Sequence, residues 1–232
     1  MAKKKLLCVI MPVYNEKKTI LEIIRRVQKV KIAGFDKKII IVDDFSTDGT
    51  RELLKSVVKK NKNIELILKK KNEGKGSALR VGFQRACGDY TVIQDADLEY
   101  DPEDYKHLLE PLMRGNADVV YGSRFLGQHR AFLFLNFLAN IILNFVTNVL
   151  YNTILTDMET CYKMFKTSIV KEMRLNSNGF EIEPEMTAFV FKHKYKIYEV
   201  PINFYGRGYE EGKKIKASDG FKALFALIRY RF

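Results

Sequence analysis

Short apolar runs alternate with helical patterns through the first 125 residues, and few architectures accommodate that alternation. The runs are LLCVIMP (6–12), KIIIVDD (38–44), IELILKK (64–70), YTVIQDAD (90–97) and DVVYGSR (118–124). Stretches with helical periodicity at 17–30, 48–62, 75–87 and 103–114 separate them. Strands apolar on both sides need cover on both faces, which predicts an α/β fold with a mainly parallel sheet between helices. Ligands in such sheets bind beyond the carboxyl ends of the strands. The polar punctuation falls there, as "PVYNE", "DDFSTDGT", "QDADLE" and "GSR".

The second part of the chain is less regular. A strand at 161–165, a helix containing 183–195, a strand at 197–205 and a last amphipathic helix at 219–232 are expected. No internal repeat or low-complexity linker interrupts the chain, so one continuous domain over 1–232 is expected. Its two halves are read as 1–125 and 126–232.

Asp95 and Asp97 stand one residue apart where an apolar run ends. Alternation in a strand would put both carboxylates on one side. Two carboxylates so close repel unless a cation or proton intervenes. Hard oxygen ligands with open positions suit Mg²⁺ or Mn²⁺ shared with substrate phosphates. Read alone, such a pair is more often a strand-end loop with solvated acids, and its context is what points to a metal. Asp43 and Asp44 end the second run, followed by a turn and a helix N-cap over Ser46 to Thr50.

The formal net charge of +12 favours an anionic partner: phosphorylated substrates, a lipid headgroup surface or nucleic acid. No helix-turn-helix or RNA-binding signature is present, so nucleic acid is not expected. Three cysteines without metal-ligand spacing read as reduced thiols of a cytosolic protein. The histidines lack zinc spacing, and Gly74 to Gly76 lacks the ending of a P-loop. The opening MAKKKLLCVIMPVYNE reads as a buried first strand rather than a signal peptide.

The blocks "VIMPVYNE", "IIIVDDFSTDGT", "NEGKGSALRVGF", "GDYTVIQDADLEYDPED" and "VVYGSRF" occur in one order. That order resembles glycosyltransferase family 2, specifically the polyprenyl-phosphate sugar synthases typified by dolichyl-phosphate mannose synthase. "TDMETCYKMF", "GFEIEPE" and "RGYEEGKK" extend the likeness over nearly the whole chain. The resemblance implies a GT-A-type, Rossmann-like fold, with a nucleotide-sugar-binding half and an acceptor and membrane-interface half. It implies a metal-dependent, inverting transfer of a hexose from a nucleotide-sugar, UDP-glucose or GDP-mannose in type, to polyprenyl phosphate.

By the same resemblance Pro12, Tyr14 and Glu16 line the nucleotide pocket, Asp44 contacts the base or ribose, and Lys75 lies by the donor. Asp95 and Asp97 hold Mg²⁺ or Mn²⁺ on the donor diphosphate. Glu99, where mannose synthases of the family often carry Gln, joins them as a metal or donor contact. Arg124 approaches phosphate, as do Arg207 and Lys213 in a basic loop. Asp157 sits on the acceptor side, as positioning group or base, or else as a cap of the following turn. A relative that glycosylates a hydroxyl, or a non-catalytic membrane-surface module, would share much of this pattern.

From Ala131 to Thr156 there is no charge, yet asparagine returns at 136, 140, 144, 148 and 152. A helix advances such a series by only ~40° per step, so the amides form a slowly winding track. The stretch is long enough to span a bilayer. Its Leu, Ile, Val and Phe residues favour insertion by roughly 4 to 9 kcal/mol. Five buried amides would cost roughly 5 to 15 kcal/mol, so energy alone does not decide. A single crossing would put Asp157 and Arg207 across the membrane from Asp95 and Asp97. The expectation is therefore one or two helices at the membrane surface, on the cytoplasmic face, with asparagines toward water or protein. Arg130 and the closing ALIRYRF would meet anionic headgroups. A core helix of the domain is the alternative.

Overall fold

The computed structural model describes residues 4–131, 133–207 and 217–232. The chain packs as two compact units: Met1–Leu98 with Met164–Gly179, and Glu99–Lys163 with Phe180–Phe232. The segment after Lys163 belongs with the first unit because it pairs back with the strand Tyr90–Ile93.

In the first unit, β1 (Lys5–Val13), β2 (Phe35–Asp43), β3 (Ile64–Leu68) and β4 (Tyr90–Ile93) pair in parallel, in the order β3-β2-β1-β4. All lie within the expected runs or a residue or three beyond them. Leu7 to Met11 and Ile39 to Val42 are fully buried, as strands covered on both faces must be. The helices between them are α1 (Ile20–Lys29), α2 (Thr50–Lys60) and α3 (Lys75–Gln84). β6 (Lys163–Lys166) adds beside β4 but runs antiparallel, with Thr91 opposite Phe165, and leads into α6 (Thr167–Glu172). β4 ends at Ile93, so Asp95 and Asp97 stand in the loop beyond it. Strand alternation therefore does not set where their carboxylates point.

The second unit holds α4 (Tyr105–Met113), β5 (Val119–Ser123), α5 (Phe134–Tyr151), α7 (Ile182–Lys192), β7 (Ile197–Pro201) and α8 (Ala217–Arg231). β5 and β7 pair in parallel, Val119 opposite Ile197. α8 packs against α5 and α7. α5 is long and apolar enough to cross a membrane, yet only 11% of it is buried. Its apolar side chains point outward: Phe134 is 73%, Leu135 72% and Phe145 67% exposed. Leu143, Asn144 and Thr147 face inward. The helix is thus not a core helix.

The close approach of α3 to the sheet depends on Gly82. A Cβ there would run into Ile10 Cγ2 of β1 and meet Val42 Cγ2 of β2 at 3.5 Å. Gly82→Val should lower stability by ~1–3 kcal/mol through overpacking. A urea melt reads this directly, and an unchanged midpoint would mean that α3 does not seat on β1 as described.

Candidate active site

The loops after the carboxyl ends of β1 and β2 interlock. Asn15 and Phe45 both adopt left-handed backbone, at φ 53 and 67°. Asn15 tolerates it and uses its side chain, accepting from Thr47 N at 2.8 Å while its own N–H donates to Ser46 Oγ at 2.9 Å. Phe45 gains nothing comparable from its sequence, and its ring is 40% exposed. The Arg51 guanidinium backs that ring at 4.9 Å and is itself held by Asp43 Oδ2 at 2.5 Å. Strain of this kind persists where the surroundings enforce it and marks candidate ligand sites. Tyr14 is also exposed, whereas Pro12 is buried in β1 opposite Val42. Glu16 accepts from Thr19 Oγ1 at 2.9 Å, and its N–H donates to Thr50 Oγ1.

Asp44, expected at the base or ribose, is 3% exposed. Its carboxylate accepts from Lys69 Nζ at 2.5 Å, Gly74 N at 2.7 Å and Glu73 N at 3.1 Å. Lys69 also donates to Ser77 Oγ at 2.7 Å. Asp44 therefore braces the loop that opens α3. On the other side that loop presses on the backbone of residues 177–179. Gly74 sits at φ 97°, and a Cβ on Gly76 would meet Ser177 O at 2.6 Å. Only glycine fits such a wedge. The braced loop aims Lys75 at Asp95, with Nζ 2.9 Å from Oδ1 and 3.0 Å from Oδ2.

In the second unit Arg124 and Asp157 form a two-pronged pair. Arg124 Nε donates to Oδ2 and Nη2 to Oδ1, both at 2.7 Å, and the Arg124 backbone N–H adds 2.9 Å to Oδ2. Asp157 is fully buried. The guanidinium lies 5.4 Å from the Phe204 ring and 5.8 Å from that of Phe125. Glu99 accepts from Arg207, backbone N at 2.9 Å and Nε at 3.3 Å. Lys213 lies outside the described residues. Among the described residues no three His, Cys, Asp or Glu side chains gather into a metal-binding group.

Below this pair lies a buried charge cluster. Lys163 Nζ donates to Glu183 Oε2 at 2.6 Å, to Met158 O at 2.9 Å and to Thr160 O. Glu159 Oε1 is buried with no hydrogen-bond partner among the described residues. Burial pushes the Glu159 carboxyl up to about 7, against the pull of Lys163. Phe125, His129, Phe137, Ile141, Asn144 and Thr156 line a cavity of about 380 Å³, mostly apolar.

Sequence reasoning singled out Lys75, Asp95, Arg124 and Asp157 one by one but did not pair them as the structure does. It missed Lys69, hidden in a run of surface-like lysines, as well as Phe45 and Glu159. The asparagine period was visible; what the amides hold was not.

This is an α/β, GT-A-type, Rossmann-like fold with acidic and basic side chains at the sheet's loop end. Residues 8–174 match the family model Glycosyl transferase family 2, and the chain belongs to that family. It is 31% identical over 227 residues to a dolichol-phosphate mannosyltransferase of Pyrococcus furiosus, covering 96% of this chain and 61% of the relative. It is 30% identical to glycosyltransferase AglJ of Haloferax volcanii, covering 86% of this chain and 63% of that one. The chain thus spans under two thirds of the length of both. Glucosyl-3-phosphoglycerate synthase of Mycobacterium tuberculosis, solved with Mn²⁺, UDP and glucosyl-3-phosphoglycerate, shares the fold. The TM-score is 0.75 at 16% identity, covering 97% of this chain and 80% of that one.

Glu159 makes stability depend on pH. Its carboxyl is held above the ordinary 4.5, so its contribution is full below pH 4.5 and is lost as pH rises through about 7. Glu159→Gln should flatten the melting temperature across that window and leave the variant more stable than wild type at pH 8. Parallel profiles would place Glu159 in water.

Proposed function

We propose that this glycosyltransferase moves a hexose from a nucleotide-sugar to a polyprenyl phosphate, with inversion, at the cytoplasmic surface of a membrane. The observation that carries this reading is the state of Asp157. A hydroxyl acceptor needs a base, and the carboxylate expected there is buried with both oxygens on Arg124. A phosphate monoester needs no base, because it is already ionised near neutral pH. One of its oxygens forms the new bond to the anomeric carbon from the face opposite the leaving group. The carbon–oxygen bond to the diphosphate breaks, and its electron pair leaves with the nucleoside diphosphate. Arg124, its guanidinium next to a Phe125 that lines an apolar cavity, suits a ligand with a phosphate head and an isoprenoid tail. The similarity to a dolichol-phosphate mannosyltransferase supports the same acceptor class.

On the donor side Tyr14, Phe45 and Glu16 would meet the nucleoside, and Lys75 the diphosphate. Asp95 and Asp97 are hard oxygen donors in one short loop, and Asp95 already holds a cation, the Lys75 ammonium, at 2.9 Å. They suit Mg²⁺ or Mn²⁺, which takes one or two carboxylates and completes its shell with substrate phosphate. When bound, the ion would neutralise charge growing on the leaving diphosphate. Mn²⁺ with UDP in a structural neighbour is consistent with this assignment. Glu99, engaged with Arg207, would steady the basic loop.

The outer face of α5 supplies the membrane contact. Eight large apolar side chains on it are exposed, from Phe134 to Val149, and Phe221, Phe225 and Ile228 of α8 add to them. At ~1.5–3 kcal/mol per fully buried side chain, half-burial of the eight on α5 yields roughly 6–12 kcal/mol. That is enough for reversible attachment. Arg231, over the Tyr151 ring at 5.4 Å, and Arg229 would meet headgroups.

The hydroxyl-acceptor reading would need a base other than Asp157, and Glu159, whose buried Oε1 has no hydrogen-bond partner among the described residues, is the candidate. Glu159→Gln would abolish transfer to a hydroxyl and spare transfer to a phosphate.

Two outcomes are expected. Asp97→Ala should abolish sugar transfer and metal-dependent donor binding while its circular dichroism stays native; full activity would remove the metal from the account. Replacing Phe134, Leu135 and Phe145 with Ser should release the protein from sedimenting liposomes without touching the cavity. Unchanged sedimentation would mean that α5 is covered by something other than lipid.

A further inference from the structure

The amides of α5 form a ladder whose rungs end on Arg124 and on the turn that carries Asp157. Asn140 Oδ1 accepts from Arg124 Nη2 at 3.2 Å, and its Nδ2 donates to Asn136 O at 2.7 Å, which fixes the amide's orientation. Asn144 Nδ2 donates to Thr156 O at 2.5 Å, and its Oδ1 accepts from Met158 N at 2.8 Å. Asn148 Oδ1 accepts from Leu155 N at 2.7 Å, and its Nδ2 donates to Leu155 O at 3.0 Å. Glu199 of β7 takes the two remaining donors, Thr156 N at 2.9 Å and Asp157 N at 3.0 Å. Lys163 takes Met158 O.

The backbone of residues 155–158 is therefore satisfied almost entirely by side chains. It belongs to no helix or strand, so without these groups its buried amides would have no partners. Two of those side chains, Asn144 and Asn148, and the Asn140 that reaches Arg124 come from one helix at four-residue spacing. A helix rotates ~400° over four residues, so the three amides share one face and the turn lies along it. A merely solubilising polar stripe would face solvent. This stripe is the inward one, and the apolar side of the same helix faces out.

We propose that Asn140, Asn144 and Asn148 are positioning residues for the acceptor's phosphate. They hold the Arg124 guanidinium through Asp157 in the orientation that receives an anion. Asn140 acts on the guanidinium itself; Asn144 and Asn148 act through the turn. α5 thus carries a membrane-facing side and, on its reverse, the bracket of the acceptor-binding arginine. The inference rests on the polyprenyl-phosphate reading for the identity of the anion, but the bracket itself does not.

Two measurements separate these claims. The first is hydrogen exchange of the Arg124 Nε–H, followed by ¹⁵N NMR in the full chain. The second is transfer to farnesyl phosphate, analysed for KM of the acceptor, kcat and donor affinity. Asn144→Ala and Asn148→Ala touch neither Arg124 nor Asp157, yet both should speed Nε–H exchange. Each should raise the acceptor KM by about tenfold, as expected when a charge-assisted contact is misplaced. Donor affinity should stay at the wild-type value. Asn140→Asp, which sets a carboxylate beside the guanidinium, should raise the acceptor KM further, and Asn140→Gln should restore part of it. A purely structural role would instead lower the melting temperature and leave the KM values alike, which overturns the proposal. So would wild-type exchange and KM in Asn144→Ala and Asn148→Ala. Faster exchange in the variants of an enzyme that does not use farnesyl phosphate would uphold the bracket and overturn the phosphate reading.

Discussion

A guanidinium and a carboxylate taken out of water together, Arg124 and Asp157, set the terms for the second half of this chain. A buried pair is stable only if its geometry is good and the remaining donors and acceptors are met. Here both carboxylate oxygens are taken, and the surrounding turn is tied by Asn144, Asn148, Glu199 and Lys163. Those requirements explain three features of the sequence at once. They account for asparagines on an otherwise oily helix, a glutamate on β7, and a fully buried lysine. The pairing also occupies both oxygens of Asp157, which is why the proposed acceptor is one that arrives ionised.

Much of the fold was legible because parallel strands covered on both faces advertise themselves as unbroken apolar runs. β1 to β5 lie where such runs occur, and the glycines of the 74–76 wedge mark a loop. The direction of β6 was not legible. Residues 163–166 carry no signal that tells a parallel from an antiparallel neighbour, and only pairing with β4 reveals it. The exact end of β4 was also hidden, since the polar "QDAD" after Ile93 could extend the strand as readily as leave it. Site residues were legible as individual charges and not as pairs. Arg124 and Asp157 are 33 residues apart, and Glu99 and Arg207 are 108 apart. Asp44 shows something else the sequence did not display, a motif acid whose carboxylate accepts from Lys69 and two backbone amides.

α5 inverts the usual logic of an amphipathic helix. Ordinarily the apolar face goes to the core and the amides go to water. In this chain the amides meet internal partners, and Phe134, Leu135 and Phe145 face outward. Exposing that surface to water is costly, and the cost is relieved only when something apolar covers it. In the proposed reading the same helix would link the membrane surface to the bracket that holds Arg124.

The account stands or falls on the acceptor being an anion that needs no base. The direct measurement compares two acceptors that differ in one group, a polyprenyl phosphate and the corresponding polyprenol, under the same donor and divalent ion. Glycosylation of the phosphate alone is the predicted result. Equal transfer to the alcohol would show that a base operates in this site and would contradict the roles given to Arg124 and Asp157.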